Sequence, residues 1–357
     1  MSAGVLLGPA VAARYFRLGS ATAQRVGNRY ALGRVLHMQG LYLVGRGSWA
    51  DGQRVLEEAA DIFDALGDIR WREMVVLTLG NLHQMHRRYD DSIACYEAAR
   101  RTSAQRGDMQ AQTWAAIGTI GALHALGRTQ EALERFAEME IMLANSFEHL
   151  SDRSSEFSVY GIRAVAHLRR GETAAARDIA AVTSRIGEQS RFLMYAALPG
   201  YTCLAELYLQ LWERSCSEAA VDEESVRAAA RAVRDLRRFA RRFPIAQPQA
   251  LLWSGLYHWL RHKPSRAQRA WKRSLAAAER LDMTHDQGLA HYEIGRHLPV
   301  ADRLRERHLG QAAEIFTTIG AQYDLRGVQA ALAVGTPPQA PGPVAAVALG
   351  SLGRSGS

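Results

Sequence analysis

The sequence predicts an all-α fold, a right-handed α-solenoid of helical hairpins, and three observations support this fold class. Apolar residues recur with a helical period, small residues return at a spacing of about 40, and no stretch alternates β-branched residues as a sheet would. The chain has 357 residues, 48% hydrophobic and 22% charged. That length and composition suit one solenoid, or two or three ordinary domains, with a large core.

The segment 36–68 contains one complete hairpin. Gly40 lies on the apolar face of its first helix, where a residue without a side chain lets a second helix approach closely. Gly45 and Gly47 predict a break after this helix, and Trp49 opens the next one. We therefore expect two packed helices joined by a short turn.

The same positions return in the next repeat along the chain. Gly40 is matched by Gly80, and the cap pair Gly67-Asp68 is matched by Gly107-Asp108. Three further matches are Gly52 with Ser92, Leu56 with Tyr96 and Ala59 with Ala99. This spacing of small and aromatic residues resembles the tetratricopeptide repeat, whose usual period is ~34 residues. The longer period found here implies longer helices or turns.

Composition and spacing divide the chain into four parts. They are an N-terminal helix or incomplete repeat at 1–27, tetratricopeptide-like repeats at 28–197, divergent C-terminal helical repeats at 198–334 and a disordered tail at 335–357. In the third part, residues 213–225 predict an exposed acidic loop. Gly255 and Trp271 restore the spacing of the first hairpin, so we expect Trp271 to be a buried knob.

Positive charge is concentrated in one region. Residues 226–273 hold 13 basic residues and one acid, Asp235, in a chain whose net charge is +8. The predicted helix 226–242 carries an arginine stripe opposite its apolar stripe: Arg227, Arg231, Arg234, Arg238 and Arg241. Three interpretations remain open, namely a solvated face, an acidic protein partner (the 213–225 loop or another protein) and nucleic acid.

No catalytic or cofactor motif is found. Lys263 precedes Pro264 and Lys272 precedes Arg273, so neither belongs to a phosphate-binding loop. The pairs His83/His86 and Glu293/His297 lack a convincing third metal ligand. We therefore expect no catalytic residue, no metal and no cofactor.

Two features predict a cytoplasmic location. No apolar run of about 18 residues could span a membrane. The three cysteines show no CxxC spacing, which suits a reducing compartment.

The segment 237–298, RRFARRFPIAQPQALLWSGLYHWL…RAWKRSLAAAERLDMTHDQGLAHYEIGRHL, carries a second resemblance. It resembles the C-terminal helical region of bacterial signalling proteins in which a class III adenylate/guanylate cyclase or a kinase is fused to a regulatory ATPase and then to tetratricopeptide-like repeats. The resemblance implies a non-catalytic protein–protein interaction and regulatory scaffold in bacterial signal transduction. It would be the sensor or regulatory part of an ATPase- or cyclase-linked system, with a protein or peptide partner.

The tetratricopeptide resemblance also implies a binding surface, because the first helices of such repeats line a concave groove. The predicted groove residues are His37, Asn81, Gln84, Trp114, His124, Trp259, Tyr292 and Arg296. The alternative function is a nucleic-acid-linked transcriptional regulator that uses the arginine-rich helix 226–242.

Overall fold

The computed structural model describes residues 8–144, 153–190, 192, 194–217 and 222–333. Within these ranges the chain forms sixteen α-helices and two short 3₁₀ turns, with no strand among them. Helices that follow one another pack together as hairpins. The predicted all-α solenoid of helical hairpins is thereby confirmed.

The helices follow one another with short connections. They are α1 (Pro9–Arg25), α2 (Arg29–Arg46), α3 (Trp49–Ala65), α4 (Ile69–Met85), α5 (Tyr89–Arg106), α6 (Met109–Ala125), α7 (Thr129–Ala144), α8 (Arg153–Arg169), α9 (Thr173–Glu188), α10 (Leu198–Ser217), α11 (Glu223–Ala240), α12 (Gln247–Leu260), α13 (Pro264–Arg280), α14 (Thr284–Arg296), α15 (Arg303–Thr318) and α16 (Gln322–Ala333). The 3₁₀ turns are Tyr195–Ala197 and Pro244–Ala246. Among the described residues, no helix combines the length and the apolar character needed to cross a membrane.

A glycine on one helix receives a large side chain from the next helix in each of several hairpins. A Cβ on Gly80 would lie 2.7 Å from the ring of Tyr96, and one on Gly255 would overlap the indole of Trp271. Trp271 is fully buried, and its Nε1 donates to the Leu252 carbonyl at 3.1 Å. The predicted knob at Trp271 is confirmed.

The helix ends follow the predicted caps with one exception. The side chains of Asp68 and Asp108 accept hydrogen bonds from the first turns of α4 and α6, and Gly67 and Gly107 adopt left-handed conformations. The break predicted at Gly45 is wrong: α2 continues through this residue to Arg46. Gly45 instead packs against Phe243, so its small size serves a contact with a distant part of the chain.

The exposed acidic loop predicted at 213–225 is also wrong for most of its length. Helix α10 continues to Ser217, and α11 begins at Glu223 with Asp222 as its N-cap. Ser215 is buried, so the apolar face of α10 continues one turn beyond the predicted end. Only residues 218–222 separate the two helices, and of these 218–221 lie outside the described part of the chain, as does the predicted tail at 335–357.

The C-terminal hairpins fold back onto the N-terminal ones. We call α2–α7 the first array and α12–α16 the second array. Trp49 Nε1 donates to the Leu281 carbonyl at 2.6 Å, and the backbone N–H of Gln322 donates to the Leu126 carbonyl at 3.2 Å. Between these two contacts, His86 Nε2 lies 3.0 Å from a carboxylate oxygen of Asp282. Three turns of the first array, near residues 49, 86 and 126, therefore meet two turns of the second array, near residues 282 and 322.

Candidate ligand-binding cavity and arginine face

A cavity of about 520 Å³ lies where the second array faces the first, with α8 and α10 completing its wall. Its apolar wall comes from both arrays and from these helices: Met85, Ile162, Leu198, Leu252, Leu256 and Leu289. This volume lies within the ~300–1,000 Å³ typical of small-molecule sites. The cavity has too little room for a peptide running the length of the superhelix.

Buried ion pairs occupy the cavity wall. Arg169 Nη2 donates to Glu206 at 3.1 Å, and these side chains are only 8% and 13% exposed. Arg296 donates to Glu213 and to Glu293, each at 2.9 Å. Burial alone would lower the pKa of Arg296, but the two carboxylates raise it well above its usual value. Arg296 therefore stays charged inside the wall.

A hydrogen-bonded chain crosses between the arrays. The Tyr89 hydroxyl lies 2.6 Å from Nδ1 of His285, and Nε2 of His285 lies 2.8 Å from a carboxylate oxygen of Asp324. A carboxylate only accepts, so Nε2 of His285 carries a proton and donates to Asp324. Burial raises the pKa of Tyr89, which keeps the phenol protonated. The chain links three elements and disfavours a tyrosinate nucleophile.

Several wall residues carry buried polar atoms that no protein group satisfies. They are Trp253 Nε1, His124 Nδ1, Glu293 Oε2, Arg87 Nη2 and Arg169 Nε. Burial raises the pKa of Glu293 and lowers that of His124, so both are pushed toward their neutral forms. An unsatisfied buried group costs about 1–3 kcal/mol. The wall thus has hydrogen-bonding capacity that its own residues leave unused.

Four of the eight predicted groove residues line this cavity: Gln84, His124, Tyr292 and Arg296. They come from α4, α6 and α14, so the cavity joins residues from both arrays. These four residues line a cavity between the two arrays, and their role in a concave binding groove stays a prediction.

The other four predicted groove residues pack elsewhere. His37 is buried with its Nε2 2.8 Å from the Thr78 hydroxyl, and Asn81 accepts from the Tyr96 hydroxyl at 2.9 Å. Trp114 packs against the cluster around Tyr96, and the Trp259 ring lies 4.4 Å from that of His297. Packing between neighbouring helices therefore explains why these four residues recur at periodic positions.

Sequence reasoning missed the wall residues Arg87, Glu206, His285 and Asp324, and it missed Asp286, which pairs with Arg87. One signal could have found Arg87. It occupies the turn position that Gly47 holds in the preceding repeat and Gly127 in the following one, and it adopts their left-handed conformation with φ 71°. A left-handed backbone is strained for any residue other than glycine, so an arginine at this position indicates that its side chain has a role there.

The arginine stripe lies on the outer surface. Its five arginines are exposed, whereas Ala229, Val233 and Leu236 on the opposite face of α11 are buried. Arg227 pairs with Glu223 at 3.2 Å, and Asp235 lies 4.0 Å from Arg234 and 3.7 Å from Arg238. The expectation that the stripe points away from the core is confirmed.

No cluster of three potential metal ligands occurs in the described ranges. In the pair Glu293/His297, Nδ1 of the histidine lies 2.8 Å from the backbone carbonyl of the glutamate, as expected of a helix-bound side chain. Comparisons add no relative: no protein-family model matches the chain, and no curated protein does so either.

Proposed function

We propose that this chain is a non-catalytic regulatory module of a bacterial signalling system, which binds a small polar molecule in the cavity between its two arrays. The observation that carries this proposal is the composition of the cavity wall. Residues of both arrays line it, and the contacts that join the arrays, Arg87–Asp286 and Tyr89–His285, lie at its edge. A molecule that touches both arrays would stabilise their closed arrangement.

The size of this effect follows from mass action. A ligand that binds only the closed arrangement stabilises it by about 2.7 kcal/mol at a concentration of 100 times its dissociation constant. Opening the arrays would expose the buried Arg169–Glu206 and Arg296–Glu213 pairs. The open and closed arrangements therefore expose different surfaces, and ligand binding changes which of the two a partner protein can bind.

The resemblance to cyclase- and ATPase-fused repeats is the basis on which we propose a partner class. We propose that a protein, such as an ATPase or cyclase module of the same signalling system, responds to the closed state. The buried, mutually paired charges and the protonated Tyr89 support a binding role over a catalytic one.

The experiment is a thermal-shift screen of small polar metabolites against three proteins. Native protein is compared with Leu289→Trp, which fills part of the cavity, and Leu304→Trp on an exposed site of α15 is the matched control. A true ligand raises the melting temperature of the native and control proteins and loses this effect in Leu289→Trp. In hydrogen exchange, it also slows the exchange of amides at 281–286 and 322–324. Equal shifts in all three proteins would contradict a cavity ligand.

The alternative function is a nucleic-acid-linked regulator that uses the arginine-rich helix 226–242. Its support is the solvent exposure of the five stripe arginines. Duplex DNA binding that weakens steeply with salt, by a slope of about −0.9 per phosphate contact, would favour it.

A further inference from the structure

A second concave surface lies on the outside of the molecule, away from the cavity. It occupies about 550 Å³ between the C-terminal end of α9, α10 and α11, and we call it the outer groove. Its aromatic residues are Phe157, Phe192, Tyr201, Tyr208 and Phe239, and its basic residues are Arg231, Arg238 and Arg242. None of these residues lines the central cavity, so the outer groove is a separate site.

The floor of the outer groove is a packed aromatic cluster. The ring centroids of Phe157 and Phe192 lie 4.8 Å apart in a stacked arrangement, and those of Tyr201 and Phe239 are also 4.8 Å apart. A Cβ on Gly187 would come within 2.8 Å of the Phe157 ring, so the backbone of α9 lies directly on this cluster. The floor is therefore closely packed, and the half-buried rings of Tyr201 and Tyr208 leave apolar surface on which one large side chain of a partner can pack.

The rim of the outer groove carries arginines that the protein neutralises only in part. Among the described residues, neither Arg231 nor Arg242 forms an ion pair. Arg238 lies 3.7 Å from Asp235, which is also 4.0 Å from Arg234. Residues 226–242 contain seven arginines and this single acid. Like charges at helical spacing repel, so the stability of α11 does not account for the stripe.

We propose that the outer groove docks an acidic segment of a partner protein. One aromatic or large aliphatic side chain of that segment would pack on Tyr201 and Tyr208, which are half-buried and line the outer groove. Its carboxylates would pair with Arg231, Arg238 and Arg242. Arginine forms bidentate pairs with carboxylates, and charge complementarity of this kind raises the association rate and selects the partner.

A protein segment fits the outer groove better than a nucleic acid does. Base stacking needs aromatic faces presented in a row along a basic track. Here Phe157, Phe192 and Phe239 are buried and pack mainly on other aromatic rings. One apolar depression with charge along one side matches a single anchor residue flanked by acids. The inference goes beyond the proposed function and does not depend on a cavity ligand.

The structure also supplies a matched control, because six of the seven arginines at 226–242 form two sets of three. Arg231, Arg238 and Arg242 line the outer groove, whereas Arg227, Arg234 and Arg241 do not. Reversing either set to glutamate changes the charge of the same helical region by the same amount. Only the first reversal removes groove contacts.

The test selects displayed random peptides on the native protein, with counter-selection on Arg231→Glu/Arg238→Glu/Arg242→Glu. We expect the recovered peptides to be rich in Asp and Glu around one Phe, Trp, Leu or Ile. The best peptide, labelled with fluorescein, should bind the groove reversal at least about tenfold more weakly and the control reversal, Arg227→Glu/Arg234→Glu/Arg241→Glu, only about threefold more weakly. Replacing the anchor by alanine in the peptide should also weaken binding about tenfold.

Several outcomes would overturn the proposal. Recovered peptides without acids, equal losses in the two reversals, or no effect of the anchor would each do so. Tighter binding of a single-stranded DNA 20-mer than of any recovered peptide would assign the arginines to nucleic acid instead. Circular dichroism checks that both reversals are folded. If the groove reversal is unfolded, both sets of arginines are replaced by glutamine instead. The groove variant should then still lose more peptide affinity than the control variant.

Discussion

Arg87 donates through Nε to a carboxylate oxygen of Asp286 at 2.6 Å, and this ion pair joins the end of α4 in the first array to the first turn of α14 in the second. The two side chains are only 10% and 2% exposed. Burial alone would lower the pKa of Arg87, but Asp286 raises it above its usual value. A charged pair is therefore held between two parts of the chain 199 residues apart.

Removing one partner of this pair should destabilise the protein strongly. Asp286→Ala leaves the Arg87 guanidinium buried without a counter-charge, which costs about 3–5 kcal/mol in comparable pairs. The double substitution Arg87→Met/Asp286→Leu should recover most of this loss, because it leaves no buried charge. Urea denaturation measures both. Arg54→Ala, which removes an exposed pair with Asp51, is the control and should change stability by less than about 1 kcal/mol. Equal losses in the single and double variants would contradict a buried, coupled pair.

Glycine substitutions at two left-handed turn residues should distinguish the cost of backbone strain from the contribution of the side chain. Arg87 and His262 both adopt positive φ, 71° and 55°, but His262 is exposed and has no partner of this kind. His262→Gly should stabilise the protein by up to about 1 kcal/mol, since glycine adopts this conformation without steric cost. Arg87→Gly relieves the same strain but loses the ion pair, so it should be destabilising overall. Thermal unfolding of the two variants gives the comparison, and a stabilised Arg87→Gly protein would refute a structural role for the pair.

Two glycines within helices should respond oppositely to alanine. Gly255→Ala places a methyl group into the Trp271 indole, and overpacking of this kind costs about 1–3 kcal/mol. Gly310, on α15, has open space around the Cβ position and is exposed. Gly310→Ala should therefore stabilise the helix by up to about 1 kcal/mol. Melting temperatures are expected to fall for the first variant and rise for the second, and a neutral Gly255→Ala would show that the indole can move aside.

Acid should destabilise the first array through His37. Burial, together with the nearby Arg34, lowers the pKa of His37 from 6.5 to about 4. Between these values the unfolded chain binds a proton that the folded chain excludes, so stability falls as the pH falls from 6.5 to about 4. The loss attributable to this residue is on the order of 3 kcal/mol.

His37→Gln is the variant that tests this assignment. Glutamine keeps a donor for the Thr78 hydroxyl but cannot be protonated in this range, so the pH dependence of urea unfolding should become shallower. His262→Gln, which replaces an exposed histidine, is the control and should keep the native slope. An unchanged slope in His37→Gln would show that other groups carry the acid sensitivity.

The sequence by itself determined the hairpins. The glycines at Gly80 and Gly255, the caps at Asp68 and Asp108 and the buried knob at Trp271 were all predicted from spacing. Each of these features depends on residues less than about one repeat away along the chain. Helical periodicity, capping and the approach of two helices at a glycine are local, so they leave a local pattern in the sequence.

Only the tertiary structure decided how the two arrays meet. The Arg87–Asp286 and Tyr89–His285 contacts join residues 199 and 196 positions apart, and Arg87, Tyr89 and His285 line the cavity. The exposed stripe was predictable, but its division between Arg231, inside the outer groove, and Arg227, outside it, was not. Contacts between the arrays depend on the curvature of the solenoid, which is the sum of small rotations between neighbouring repeats. No single segment specifies where that sum brings distant turns together.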